Sequence, residues 1–235
     1  MTSFMTSLFG AIFCAHVVYY FAFIYMDKML QEHKFYCAEQ IGAKYTSHLM
    51  LPSWKYGFHF LTVFIFLFSM FIVISFIELN TITQFAYWVF ISLSTILLIT
   101  DGRHLVLPEN FTIVLILSGL IFTLSGRSKL TLTESINGAL YPVVFIFIIG
   151  SIVSVIKQTP SYGMGDNFLL FGIGLWIGID KVFQFAVISS VLALCIACIT
   201  RKRTIPLGVP MIVSSVVTLL VPAPFFSLSD NIHFW

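Results

Sequence analysis

Apolar residues run in long stretches along this chain, near 4–25, 58–77, 84–100, 111–125, 136–156, 167–179, 182–199 and 207–226. All but two of them, 111–125 and 167–179, are long enough to cross a hydrocarbon layer of roughly 30 Å. Inside a membrane the backbone has no water to bond, so stretches of this kind are expected to be helices. The pattern predicts an all-α fold, a polytopic integral membrane bundle of about eight transmembrane helices. The one substantial polar stretch is 27–57, from Asp27 through Lys28, Glu32, Lys34, Glu39 and Lys44 to Lys55. The chain therefore divides into N-terminal spans at 1–83, which include that short loop, and a membrane core at 84–235. No internal repeat, low-complexity tract or interdomain linker is visible.

Composition supports this reading. Hydrophobic residues make up 59% of the 235 and charged residues 9%, against about 45–50% and 25% in a soluble domain. Eight crossings of roughly 20 residues leave about 75 for all the loops, too few for a separate extramembrane domain of ordinary size. A net charge of +2 gives no basic footprint for nucleic acid. No Lys or Arg precedes the first apolar stretch, so a permanent first span is expected rather than a cleavable signal. If loop 27–57 faces the cytoplasm, alternation places nine of the twelve Lys and Arg inside and leaves Arg127, Lys129 and Lys181 outside. Loops 101–110 and 157–166 then also face the cytoplasm.

The two short stretches would rise only about 20 Å as helices. Short or interrupted spans are tolerated where they line a wet cavity instead of lipid. Each follows a polar loop that contains an aspartate. The first loop reads Thr100-Asp101-Gly102-Arg103-His104-Leu105-Val106-Leu107-Pro108-Glu109-Asn110, with Pro108 starting the next helix where no N–H is needed. The second reads Gly163-Met164-Gly165-Asp166. Its glycines would free the backbone to turn sharply and to approach other chains closely.

Each acid alone has a plain structural explanation. Asp101 could be an interfacial carboxylate beside Arg103, and Asp166 could be an N-cap accepting from the first N–H groups of its helix. Together, two carboxylates on one membrane face are what aspartyl hydrolysis needs. Like charges brought close do not both ionise, so one acid holds a proton and the other does not. The ionised acid takes a proton from the attacking water, and the protonated one hydrogen-bonds the carbonyl oxygen. Only tertiary packing can join residues 65 positions apart.

The run DGRHLVLPEN, the GMGD that follows, and IPLGVP at 205–210 resemble the type IV prepilin peptidases, bacterial GxGD-type aspartyl proteases. The resemblance covers about Ser92 to Val221. It implies that Asp101 and Asp166 are the catalytic pair, with Gly163, Gly165, Pro108 and Glu109 shaping the motif loops. It implies a multi-pass protein of the bacterial inner membrane, acting from the cytoplasmic face. The implied substrate is a prepilin or pilin-like precursor, cut after its leader glycine. Glu109 stands where an Asp is common in the family.

Many members also methylate the new pilin N-terminus with S-adenosylmethionine, and their large loop carries two CxxC pairs resembling a zinc site. Loop 27–57 has Cys37 alone. A closed structural zinc site needs four ligands, so no metal is expected, and the case for S-adenosylmethionine is weakened with it. Proteolysis by two carboxylates needs no cofactor. Cys195 and Cys198 read as small packing residues on one helix face, and His33, His48 and His59 as solvated or interfacial. The 26 Phe residues read as lipid-facing and core bulk. Gly172, Gly174 and Gly178 read as permitting close helix packing. The alternative function is a transporter or non-catalytic scaffold, with the two acids as ion sites or helix caps.

Overall fold

The computed structural model describes residues 2–30, 53–77, 80–158, 163–200 and 207–221. Helices make up nearly all of it. In chain order they are α1 (Thr2–Tyr19), which runs through a π-helical segment Tyr20–Tyr25 and on to residue 30, α2 (Ser53–Ile77), α3 (Thr81–His104), α4 (Glu109–Leu124), α5 (Leu132–Lys157), α6 (Met164–Ile177), α7 (Ile179–Thr200) and α8 (Gly208–Leu220). Each falls on one of the eight apolar stretches. Five are long and apolar enough to cross a membrane: residues Met5–Leu30, Phe60–Ile77, Thr81–His104, Leu132–Ile156 and Ile179–Ile199. The polar stretch at 31–52, with Cys37, His33 and His48, lies outside the described residues.

The chain forms two compact units, Met1–Leu79 and Asn80–Trp235. In the first, α1 packs on α2. Ala11, Ala15, Val18, Ala22 and Met26 recur at helical spacing and are fully buried, as are Leu67, Phe71 and Ile74 of α2. The small side chains on α1 make room for the large ones on α2. Ser7 and Ser75 pair their hydroxyls at 2.9 Å, and Tyr19 meets Phe60 edge to face at 5.8 Å.

In the second unit α6 packs against α4, α5, α7 and α8. Residues 172–178 are all buried. Over that half the helix is enclosed by protein instead of lipid, and so it need not match the thickness of a membrane. By contrast α5 exposes Tyr141, Val144, Phe145, Ile148 and Ile152, an apolar surface suited to lipid. Ends of the outer helices are capped: Asn80 accepts from the Ile82 amide at 3.0 Å. Thr131 and Glu134 form a reciprocal capping box at the start of α5.

The small residues of α6 do pack closely. Gly174 lies backbone to backbone against Gly138 and Ala139 of α5, and Gly172 faces Leu115 and Ile116 of α4. Gly178 takes φ +71° and ends α6, a conformation that suits glycine. Trp176 donates Nε1–H to the Leu115 carbonyl at 3.1 Å and stacks on Phe122 at 5.4 Å. Ser135 donates to the Leu175 carbonyl at 2.6 Å.

Two expectations need correction. The stretch 207–226, read as long enough to cross, is among the described residues helical over Gly208–Leu220. Val221 is extended, at φ −76° and ψ 119°, because the ring of Pro222 disfavours a helical residue before it. Cys195 and Cys198 are exposed thiols and do not pack inside the chain.

Candidate active site

Three helix ends converge around the first acid. Asp101 sits in the last turn of α3. Leu105 closes that helix in the left-handed conformation, φ 56° and ψ 33°, with its amide donating to the Asp101 carbonyl at 2.9 Å. Residues 106–108 then turn the chain into α4. Pro108 is buried and occupies the N-cap position, not the first helical one, so Glu109 opens the helix. Glu109 is exposed, and its charge favours the positive end of α4.

Asp101 is buried within the protein. It is 5% exposed, whereas Arg103 is exposed. Its Oδ2 accepts from the Val209 amide at 3.1 Å. That donor belongs to the first turn of α8, whose leading N–H groups have no partner within the helix. A carboxylate there meets unused donors and the positive end of the helix dipole together.

Asp166 lies in the first turn of α6, half-buried. The N-cap is Gly163 rather than Asp166, and the acid stands three residues further on. From there its Oδ2 lies against Gly163, 3.7 Å from where a Cβ on that residue would stand. Gly163 has φ −88° and ψ 150°, ordinary extended backbone, and Gly165 has no positive φ either. Neither glycine therefore uses the left-handed region that favours glycine. What Gly165 provides is proximity, since a Cβ there would lie 3.4 Å from Leu107 Cβ.

Leu107 links the two acids' surroundings. Its side chain reaches towards Gly165 at the start of α6 and Gly208 at the start of α8. The start of α6, which carries Asp166, and the start of α8, which faces Asp101, meet around one side chain, although the two acids are 65 positions apart in the chain. The structure thus brings Asp101, Asp166, Gly165, Leu107 and Pro108 to one end of the second unit. Sequence reasoning missed Gly208 and Val209 as part of this site. The IPLGVP element was visible, but only the fold shows that its glycine faces Asp101.

Among the described residues no group of three or more His, Cys, Asp and Glu side chains could hold a metal ion. The cluster here is two carboxylates and backbone amides, suited to proton transfer and to hydrogen bonding of a polar substrate.

Comparison with known proteins points the same way. Residues 88–198 match the Type IV leader peptidase family, a segment that includes both acids. A type 4 prepilin-like proteins leader peptide-processing enzyme of Escherichia coli O78:H11 is 29% identical over 129 residues, 54% of this chain and 48% of the relative. A prepilin leader peptidase/N-methyltransferase of Haemophilus influenzae is 27% identical over 141 residues, 57% of this chain and 61% of the relative. One from Neisseria gonorrhoeae is 28% identical over 101 residues, 43% of this chain and 35% of the relative. The chain thus spans less than two thirds of the length of these relatives. No solved structure matches it.

Proposed function

Because residues 88–198 match the Type IV leader peptidase family, we propose that this multi-pass membrane protein is an aspartyl endopeptidase. Its substrates would be prepilins or pilin-like precursors, cut at the leader junction on the cytoplasmic side of a bacterial inner membrane. One observation carries the reading: Leu107 packs against both Gly165, beside Asp166 at the start of α6, and Gly208, which faces the buried Asp101 at the end of α3.

In this mechanism the two acids share one proton. The ionised carboxylate removes a proton from water as the water oxygen attacks the peptide carbonyl, while the protonated carboxyl donates a hydrogen bond to the carbonyl oxygen. Collapse of the tetrahedral intermediate passes a proton to the leaving amine and frees both products. The hydrophobic helix of the precursor would lie among the membrane helices, leaving the leader junction at the wet end where the acids sit. No metal or cofactor takes part in the cut. Methylation of the product with S-adenosylmethionine would be a separate activity.

The test is cleavage of a prepilin by membranes that contain the intact protein, Asp101→Asn or Asp166→Asn. Asn is nearly isosteric but cannot serve as the acid or the base. The intact protein is expected to cut, and each variant to lose at least about 10²-fold, the low end of a general acid or base contribution. Equal membrane levels of the three proteins exclude loss of folding. Processing that survives either change rejects the two-aspartate mechanism. If the intact protein cuts nothing from a panel of prepilins, the transporter or scaffold reading takes its place.

A further inference from the structure

Gly208 is a glycine for reasons of space. Among the described glycines only Gly126 and Gly178 take positive φ, so the backbone of Gly208 is open to any residue. A Cβ at that position, however, would stand 2.7 Å from Asp101 Oδ2, 3.0 Å from Asp101 Cγ and 3.3 Å from Leu107 Cδ2. The first two distances are inside van der Waals contact.

Neither neighbour can yield cheaply. The Asp101 side chain is short, its Cα is fixed in the last turn of α3, and its Oδ2 is held by the Val209 amide. Leu107 is bounded on its other side by Gly165. A side chain at 208 would therefore turn the carboxylate off its donor.

We infer that the first turn of α8 is the positioning element for Asp101: Gly208 leaves room for the carboxylate, and the Val209 N–H fixes the direction of Oδ2. These two residues position Asp101 and have no contact with substrate in this role. The placement stands on geometry alone, while its consequence for catalysis rests on the proposed function.

A double-mutant cycle on the full chain in nanodiscs tests the placement without any substrate, using thermal unfolding of the intact protein, Gly208→Ala, Asp101→Ala and the double variant. Truncating Asp101 at Cβ removes both clashing atoms. Gly208→Ala is expected to lower Tm in the intact background. In the Asp101→Ala background it should leave Tm unchanged or raise it, since Ala is the better helix former. An equal loss in both backgrounds overturns the inference.

The positioning role is then read from kinetics on Val209→Pro. Proline deletes the donor in a first turn, where the helix itself has no use for that N–H. The expected result is a fall in kcat of about 10²-fold, as for a small misplacement of a reacting group. The pH profile of kcat should be displaced as well, because that profile reports proton binding by the pair. Simple loss of folded enzyme would scale the rate alike at every pH. An unchanged kcat and pH profile in Val209→Pro overturns the role. If the intact protein cuts no prepilin, the proposed function fails, and the cycle in Tm still decides the placement.

Discussion

Gly165 and Gly208 open two short helices, and what a methyl group would meet at each is different. At Gly165 the nearest atoms to a Cβ are Leu107 Cβ at 3.4 Å and the Leu107 carbonyl oxygen at 3.8 Å, ordinary contacts. Gly165→Ala is accordingly expected to change stability by less than about 1 kcal/mol, with the better helix propensity of Ala offsetting mild crowding. Gly165→Val pushes its branches into Leu107 and should cost about 1–3 kcal/mol, the range for overpacking. Denaturant unfolding in detergent, followed by tryptophan fluorescence, measures both; a large loss in Gly165→Ala would mean that this turn is tighter than its contacts imply. The pair of acids was legible because each interrupts apolar sequence at a loop, where a carboxylate is conspicuous. Their immediate partners were not. Asp101 takes a donor 108 positions further along, and no local pattern encodes a neighbour supplied by another helix. At Gly163 the motif misled, because glycine suggests a special φ where the backbone is ordinary.

At the level of helices, length and position agree. The three shorter apolar helices are Glu109–Leu124, Gly165–Ile177 and Gly208–Leu220, and two of them carry or contact the acids. Burial explains how α6 can be short, since it is surrounded by protein and shows almost no surface along 172–178. That arrangement depends on backbone contact with α5. A Cβ on Gly138 would lie 2.5 Å from the Gly178 carbonyl carbon and 2.8 Å from the Gly174 carbonyl oxygen. Backbone atoms cannot rotate aside as a side chain can. Gly174→Ala is therefore expected to separate the helices and to cost at least the roughly 1–3 kcal/mol of overpacking. Trp176, two residues on and stacked against Phe122, offers a local readout: its emission should shift as the stack loosens, along with a lowered Tm. Unaltered emission and Tm would show that α5 and α6 have room to spare. Two of the short helices were legible from the lengths of their apolar runs. The third was hidden because residues 207–226 stay apolar past the helix end, and hydropathy does not register the restriction that Pro222 puts on Val221.

Across the second unit, successive helices alternate in direction, and this sorts the charges. The end that holds Asp101 and Asp166 also carries Arg103 and the start of α4, while Arg127 and Lys129 lie in the turn at the other end, between α4 and α5. Lys181, just after Gly178, belongs to that second end too. Its amine donates to the Thr218 and Val221 carbonyls at 3.3 and 2.6 Å, satisfying the last turn of α8 and placing a positive charge where the dipole favours one. Thus α8 meets a carboxylate at its N-terminus and an ammonium at its C-terminus. The proposed function requires the excess of Lys and Arg to mark the cytoplasmic face and the acids to lie on it, since a leader junction can be cut there only if this orientation holds. Single cysteines at Arg103 and Lys129, both exposed, test it in a chain with Cys14, Cys37, Cys195 and Cys198 replaced. A membrane-impermeant maleimide added to intact cells should label Lys129→Cys from outside and should reach Arg103→Cys only after the membrane is opened. Labelling of both from one side would contradict the alternation of α3 and α4. The reversed pattern would keep the fold but place the two acids on the outer face, and the proposed cytoplasmic cleavage would then be ruled out even if the catalytic pair is correct.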